Sequence, residues 1–388
     1  MPSVIYHPAY RTYSFGNDHP FSPLRVDMML DLLETLGHRV ETVEPEQASR
    51  EEILSVHSED YVRRVEELSA GVEVPDCQVF GLGTPDTPAF PGMDGAARWL
   101  VGGALHGARL ICEHGAKRVL QLGGGLHHAQ KSLASGFCIY NDLAIAINRL
   151  TSHGFSVAYV DIDVHHGDGV QQILYEDRRV MTISLHESGK FLFPGSGNIH
   201  ELGSGIARGL KLNLPLQPFT EGASYLEVFE QVLPVALSHF RPSVLVVQAG
   251  ADAYFADPLA DLMLTTQDFE AIFRRLLELA DAFTAGACCS PSAAATRPMP
   301  CRGSGPSCTS WCMICRSPAS FRRGGGAGGA RLLRRSCRRR STIRFRPTPT
   351  SPTGRRSPTA IGRRFSGFSR RRASTGRPER RAAGRPYA

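Results

Sequence analysis

Short β-rich runs alternate with stretches of helical spacing over residues 1–286, and this alternation predicts an α/β fold around a parallel sheet. Ser3-Val4-Ile5-Tyr6 reads as the first strand. Arg118 to Leu122, Val157 to Ile162, Val180 to Leu185, Leu210 to Leu214 and Val244 to Val247 read as later ones. Helical spacing covers Leu24 to Leu36 and residues 92–113, 138–150, 168–176, 221–239 and 267–284. Ser58 is expected to cap a helix whose first turn carries Glu59 and Asp60. The helix Gln267 to Ala285 should lead into one more buried strand, but Cys288-Cys289-Ser290-Pro291-Ser292 carries no strand pattern. No apolar run approaches the roughly 18 residues of a membrane span, and MPSVIYHPAY does not read as a signal peptide. A cytoplasmic chain is therefore expected, with thiols not presumed paired.

Charge divides the chain in two. Residues 1–286 hold 20 Lys plus Arg against 36 Asp plus Glu, a net −16. Residues 287–388 hold 24 Arg, no Lys and one acidic residue, Glu379, a net +23. The same 102 residues lack His, Asp, Asn, Gln and Val, yet carry seven of the ten Cys. The first piece is read as a catalytic domain incomplete at its C-terminal end, the second as a disordered Arg/Pro/Ser/Cys-rich tail. Such a tail would normally suggest nucleic acid. Evolved basic tails mix Lys with Arg, however, so nucleic acid is not the expected partner. Cys312 and Cys315 lack the second pair that a zinc site needs.

In open α/β sheets ligands gather at the carboxyl ends of strands. Three such ends carry unusual polar residues here: Gly123-Gly124-Gly125-Leu126-His127-His128, Asp161-Ile162-Asp163-Val164-His165-His166-Gly167-Asp168, and Ala249-Gly250-Ala251-Asp252. In an extended strand Asp161, Asp163 and His165 share one face. Burying them together is costly unless something neutralises them, and a divalent metal does so. Asp163 and His165, with Asp252 as third ligand, would make a zinc site with an open position. The alternative is a buried Asp–His network without metal; three converging strand ends favour the metal. His127 and His128 suit general acid–base work, with Asp161 and Asp168 as the groups that fix their tautomers. A phosphate site at Gly123 to Gly125 is the weaker reading, because the Lys-Ser or Lys-Thr of a P-loop is missing. Phe137 and Phe193, from different loops, could wall a narrow apolar tube fit for an aliphatic chain.

Taken in order, Gly-Gly-Gly-Leu-His127-His128, Ser-Gly136-Phe137-Cys, Asn141-Asp142, Asp161-x-Asp163-x-His165-His166-Gly-Asp168-Gly, Phe193-Pro-Gly-Ser-Gly and Gly250-Ala-Asp252 resemble the zinc-dependent deacetylases of the histone deacetylase family. Gly81-Leu-Gly-Thr-Pro-Asp86 adds a likeness to bacterial acetoin-utilisation deacetylases, and the resemblance spans roughly residues 3–285. It implies a three-layer arginase/deacetylase fold and one Zn²⁺ on Asp163, His165 and Asp252. His127 and His128 would be the tandem histidines, backed by Asp161 and Asp168, with His128 the general base. Gly136, Phe137 and Phe193 would form the acetyl-lysine tunnel, and Asp86 the rim group that holds the substrate backbone. Arg25 would line an acetate-exit channel. Asp161, Asp163 and Ser184, with backbone oxygens of His165 and Leu185, would hold a monovalent cation such as K⁺. The implied partner is an acetylated protein, such as an acyl-CoA synthetase, or an acetylated small amine.

One family feature is missing. The family places an oxyanion-stabilising tyrosine after a Gly-rich turn on the next strand, whereas this chain reads Cys288 to Arg297 there. Beyond Tyr254 its one tyrosine is Tyr387. A reading-frame slip near residue 287 accounts for both the charge break and this loss. Shifted back by one base, with free third positions, the codons of Ala293 to Thr296 permit Gly-Gly-Gly-Tyr, and those of Pro298 to Cys301 permit Pro-Tyr-Ala-Val. Three readings stay open: a protein-lysine deacetylase, an acetylpolyamine amidohydrolase, and a metal- and acetyl-lysine-binding pseudoenzyme.

Overall fold

The structure, a computed structural model, describes residues 3–38 and 40–284 and the backbone of two later strands, Ala287–Pro291 and Cys312–Arg316. These lie in the first of two units, Met1–Arg323. The second unit, Gly324–Ala388, lies outside the described residues, as does the remainder of the segment 287–388 expected to be a disordered tail.

Among the described residues nine strands form one sheet: β1 (Ser3–Ile5), β2 (Thr42–Val43), β3 (Arg118–Gln121), β4 (Val157–Asp161), β5 (Val180–Glu187), β6 (Lys211–Leu216), β7 (Val244–Gln248), β8 (Ala287–Pro291) and β9 (Cys312–Arg316). The α-helices among the described residues are α1 (Leu24–Thr35), α2 (Arg50–Leu54), α3 (Glu59–Ser69), α4 (Met93–His114), α5 (Asp142–Ser152), α6 (Asp168–Ile173), α7 (Gly222–Phe240) and α8 (Thr266–Phe283). The strand order is β2-β1-β3-β9-β8-β7-β4-β5-β6. Every neighbouring pair is parallel except those made by β9.

The central strands are apolar on both faces because helices cover both. Val157 and Tyr159 of β4 pack with α4 and α5 through Ala104, Ala108, Leu143 and Ile147. Their neighbours Ala158 and Val160 pack the other way, against Phe229, Leu233, Ile272 and Leu276 of α7 and α8. This period-2 split makes the three layers and aligns the carboxyl ends of β3, β4 and β7 along one rim.

The structure differs from the sequence expectation at several places. A strand does follow α8: β8 pairs with β7, Leu245 opposite Cys288 and Val246 opposite Cys289. A parallel neighbour satisfies backbone donors and acceptors whatever side chains the strand carries, so Cys-Cys-Ser-Pro can occupy the position. The antiparallel β9 was not expected. β2 and α2 have two and five residues, too few to show a period. Ser58 stands before α3 with extended backbone but makes no capping bond; its Oγ lies 2.7 Å from Ser132 Oγ. Among the described residues no helix is long and apolar enough to cross a membrane.

Candidate active site

The alternation expected to carry Asp161, Asp163 and His165 on one strand face stops at Asp161, where β4 ends. Side-chain carboxylates then take over the backbone donors, as in Asx-type turns. Asp161 Oδ1 accepts from Asp163 N at 3.1 Å, and Asp163 Oδ1 accepts from His165 N at 2.9 Å. Asp252 Oδ1, arriving from beyond β7, accepts from Val164 N at 2.9 Å. The bend turns Asp163 and His165 away from the strand and toward Asp252. His165 Nδ1 lies 3.1 Å from Asp163 Oδ1 and 3.0 Å from Asp252 Oδ2.

The ligand atoms of Asp163, His165 and Asp252 all lie within 4.8 Å of one another, the one such group among the described residues. Asp163 and Asp252 are each 2% exposed. Burial and the neighbouring Asp163 charge push Asp252 up to about 8. Burial also works to raise Asp163, but His127 and His165 outweigh it and hold that carboxyl low. His165 is raised, because both carboxylates overcome the effect of its burial. Two aspartates and one imidazole converging in a largely buried space are a donor set that suits a divalent cation such as zinc. Gly250 completes the cradle: a Cβ there would meet Asp163 Oδ2 at 2.2 Å.

The Gly-rich turn after β3 brings the two histidines to the same place. His127 Nδ1 lies 2.8 Å from Asp161 Oδ2, and His128 Nδ1 lies 2.7 Å from Asp168 Oδ1. The two rings are 4.0 Å apart between centroids. Both imidazoles are buried, which opposes their charge. For His127 the charges of Asp161 and Asp163 win, and the group is raised to about 9. For His128 burial wins, aided by the charge on His127, and the group is lowered. Environment thus shifts the two rings in opposite directions, His127 up and His128 down.

The expected substrate residues meet the histidines from the side. Gly136, at φ 55°, lies flat on His128, where a Cβ would stand 2.2 Å from His128 Cδ2. The Phe193 ring is 5.0 Å from His128 and 6.1 Å from His165, edge to face. Phe137 turns its ring to His19 at 4.6 Å, and its carbonyl accepts from Tyr13 Oη at 2.6 Å. Asp86 Oδ2 accepts from Gly136 N at 2.7 Å, so the expected rim carboxylate also braces the wall. Arg25 Nε and Nη1 are shielded from solvent without a hydrogen-bond partner, and the guanidinium carbon sits 4.3 Å from the Phe21 ring centroid. Burial holds Arg25 down at about 10. Ser184 stands opposite Asp161 in the sheet, with its Oγ 2.9 Å from His186 Nδ1, and Leu185 beside it is buried.

Sequence reasoning missed two features. Tyr159 Oη donates to Asp161 Oδ2, giving that oxygen a second partner besides His127. The two-residue spacing of Tyr159 and Asp161 on β4 could have revealed it. The second is the use of Asn141 and Asp142, which no local spacing discloses.

The histone deacetylase domain model matches residues 19–290. The acetoin utilization protein AcuC of Bacillus subtilis is 43% identical over 286 residues, covering 73% of this chain and 74% of that protein. AcuC of Staphylococcus aureus strain MSSA476 is 38% identical over 288 residues, with 73% and 74% covered. Among solved structures, an HDAC homolog complexed with SAHA is 28% identical with a TM-score of 0.66, covering 72% of this chain and 76% of that one. An HDAC homolog from Aquifex aeolicus is likewise 28% identical with a TM-score of 0.66, covering 71% and 76%.

Proposed function

This chain belongs to the histone deacetylase family, and from that premise we propose that it hydrolyses the acetamide of acetyl-lysine in proteins with one zinc ion held by Asp163, His165 and Asp252. The observation that carries this reading is the convergence of those three ligands, within 4.8 Å, beside two histidines each bound to its own aspartate. When bound, zinc polarises the acetamide carbonyl and lowers the pKa of water.

The chain's own groups then divide the proton work. Asp168 on Nδ1 of His128 fixes the tautomer that leaves Nε2 free to accept a proton, and His128 is the neutral ring of the pair. It takes the proton of the attacking water and returns one to the departing amine. His127, held charged by Asp161, stabilises negative charge next to it. Phe193 and Gly136 against His128 shape an apolar approach for a lysine stem, with Phe137 in the adjoining wall. Asp86 stands at the rim for the substrate backbone. The buried Nε and Nη1 of Arg25, which lack a hydrogen-bond partner, suit the carboxylate of released acetate. Asp161, Asp163 and Ser184, with the His165 and Leu185 carbonyls, form the proposed K⁺ site.

A second reading has its own support. The sequence offers no tyrosine between Tyr254 and Tyr387, so the oxyanion donor of the family is absent from the chain as written. In this reading the chain binds metal and acetyl-lysine without turnover. We also read residues 287–388 as out-of-frame translation, which sequencing the gene across this junction tests; an intact frame overturns it.

Incubation of the zinc-loaded chain with an acetyl-lysine peptide, acetylspermidine and acetylputrescine separates the readings. Release of acetate from the peptide supports the deacetylase. Preference for the polyamines reassigns the substrate, and peptide binding without acetate release favours the non-catalytic reading.

A further inference from the structure

Asn141 and Asp142 are wholly buried at the start of α5, and the sequence places them 12 to 17 residues from what they hold. Asp142 Oδ2 accepts from Gly125 N at 3.0 Å, and Asp142 Oδ1 accepts from Leu126 N at 2.7 Å. Asn141 Nδ2 donates to His127 O at 3.3 Å and to Ala129 O at 2.8 Å. Two consecutive side chains therefore hold four backbone atoms of the turn that carries His127 and His128. The fit is close: Gly124 is at φ 83°, and a Cβ there would meet Asp142 Oδ2 at 2.2 Å.

Helix capping alone does not explain Asn141. Its Oδ1 accepts from Ala144 N at 2.8 Å, and Asp, Ser or Thr would supply that acceptor as well. Only an amide caps the helix and donates to two carbonyls elsewhere. Its backbone is braced in turn: Asn141 N donates to His57 Nε2 at 2.9 Å, and His57 is 3% exposed between Tyr61 and Tyr140. His57 accepts there as a neutral ring, which its burial favours.

We propose that Asn141 and Asp142 are positioning residues that fix where the His127 and His128 rings stand against Asp161 and Asp168, with His57 as the brace behind them. This rests on the reading that the two histidines move and hold protons, and it adds residues that touch neither metal nor substrate. Groups that orient ligands or bases from behind typically carry tenfold to hundredfold effects.

The test is Asn141→Asp in the full-length chain. Aspartate keeps the shape and the helix cap but turns a donor into an acceptor facing two carbonyls. Histidine ring signals are followed by ¹⁵N NMR, with and without zinc, and folding by circular dichroism. The ring signals of His127 and His128 should shift while those of remote His7 and His200 stay. Where the wild type turns over an acetyl-lysine peptide, kcat should fall about 10- to 100-fold with KM changed less than about threefold. Unchanged ring signals in a folded N141D overturn the proposal. If N141D fails to fold, H57L and H57Q decide. The glutamine retains an acceptor for Asn141 N and should keep wild-type signals, whereas the leucine should move them; equal signals in both overturn the proposal. A wild type that cleaves no acetylated substrate removes the proposed activity, yet the ring signals still judge the positioning.

Discussion

Gly250 lies against Asp163 so closely that a methyl group on it would stand 2.2 Å from Asp163 Oδ2 and 2.6 Å from Asp163 Cα. One contact is with backbone, so rotating the carboxylate does not relieve both. We expect Gly250→Ala to lower zinc affinity at least tenfold by displacing a ligand. Overpacking should also cost about 1–3 kcal/mol of stability. Zinc titration against a chelating dye and a thermal melt of the metal-free chain read the two effects separately.

Asp163→Ala and Asp252→Ala each remove one of three converging ligands. Stoichiometric zinc after gel filtration should fall below about one tenth of the wild-type occupancy for either variant, given the many-fold role of each ligand in such sites. Elemental analysis checks it, and unchanged occupancy in both would place the metal elsewhere.

Asp168→Asn puts an amide opposite His128 Nδ1, which now lies 2.7 Å from a carboxylate oxygen. Two tautomers of His128 become accessible, one with its acceptor on the wrong side. We expect kcat to drop about 10- to 100-fold with zinc content intact. Rate loss accompanied by zinc loss would instead mean that Asp168 supports the metal.

Restoring the frame after residue 287, so that the tyrosine codon is read, should raise deacetylation by about 10²–10³ over the chain as written. Parallel assays of the two proteins at equal zinc occupancy measure the ratio. Equal rates would show that the chain needs no such donor.

Lys211 is a buried lysine on β6 whose Nζ donates to Val180 O at 2.7 Å. Burial lowers its pKa to about 8, with Asp177 opposing only in part. The folded state then binds fewer protons than the unfolded chain between about pH 8 and the ordinary lysine value near 10.4. Lys211 therefore destabilises the fold below pH 8, and this cost is relieved as pH rises through that window. We expect the stability of wild type minus that of Lys211→Met to increase by on the order of 3 kcal/mol from pH 8 to 10.5. Denaturant unfolding of both proteins measures it; a flat difference means that Lys211 stays charged in the fold.

Much of this molecule is legible residue by residue. Val157 to Val160 and Val244 to Val247 are apolar on both faces, and that alone calls for a sheet sandwiched between helices. Asp161-x-Asp163-x-His165, the tandem histidines and Asp252 announce their chemistry through residue type and through their places at strand ends. Tyr159 lay within reach of the same two-residue reasoning.

Chain order and residue type determined the layers, the rim and the identity of the reactive groups, because those depend on short-range periodicity and on which side chains can ligate or titrate. Tertiary structure alone decided how they converge. Asp163 and His165 left the strand because carboxylates captured backbone donors, and Asp252 reached Val164 from another strand 88 residues away. It also decided that β8 forms from residues with no strand pattern, since the open edge of β7 supplies the hydrogen bonds. The opposite pKa shifts of His127 and His128 were set in the same way, by burial and by the distances to Asp161, Asp163 and Asp168, quantities that exist only after the chain has folded.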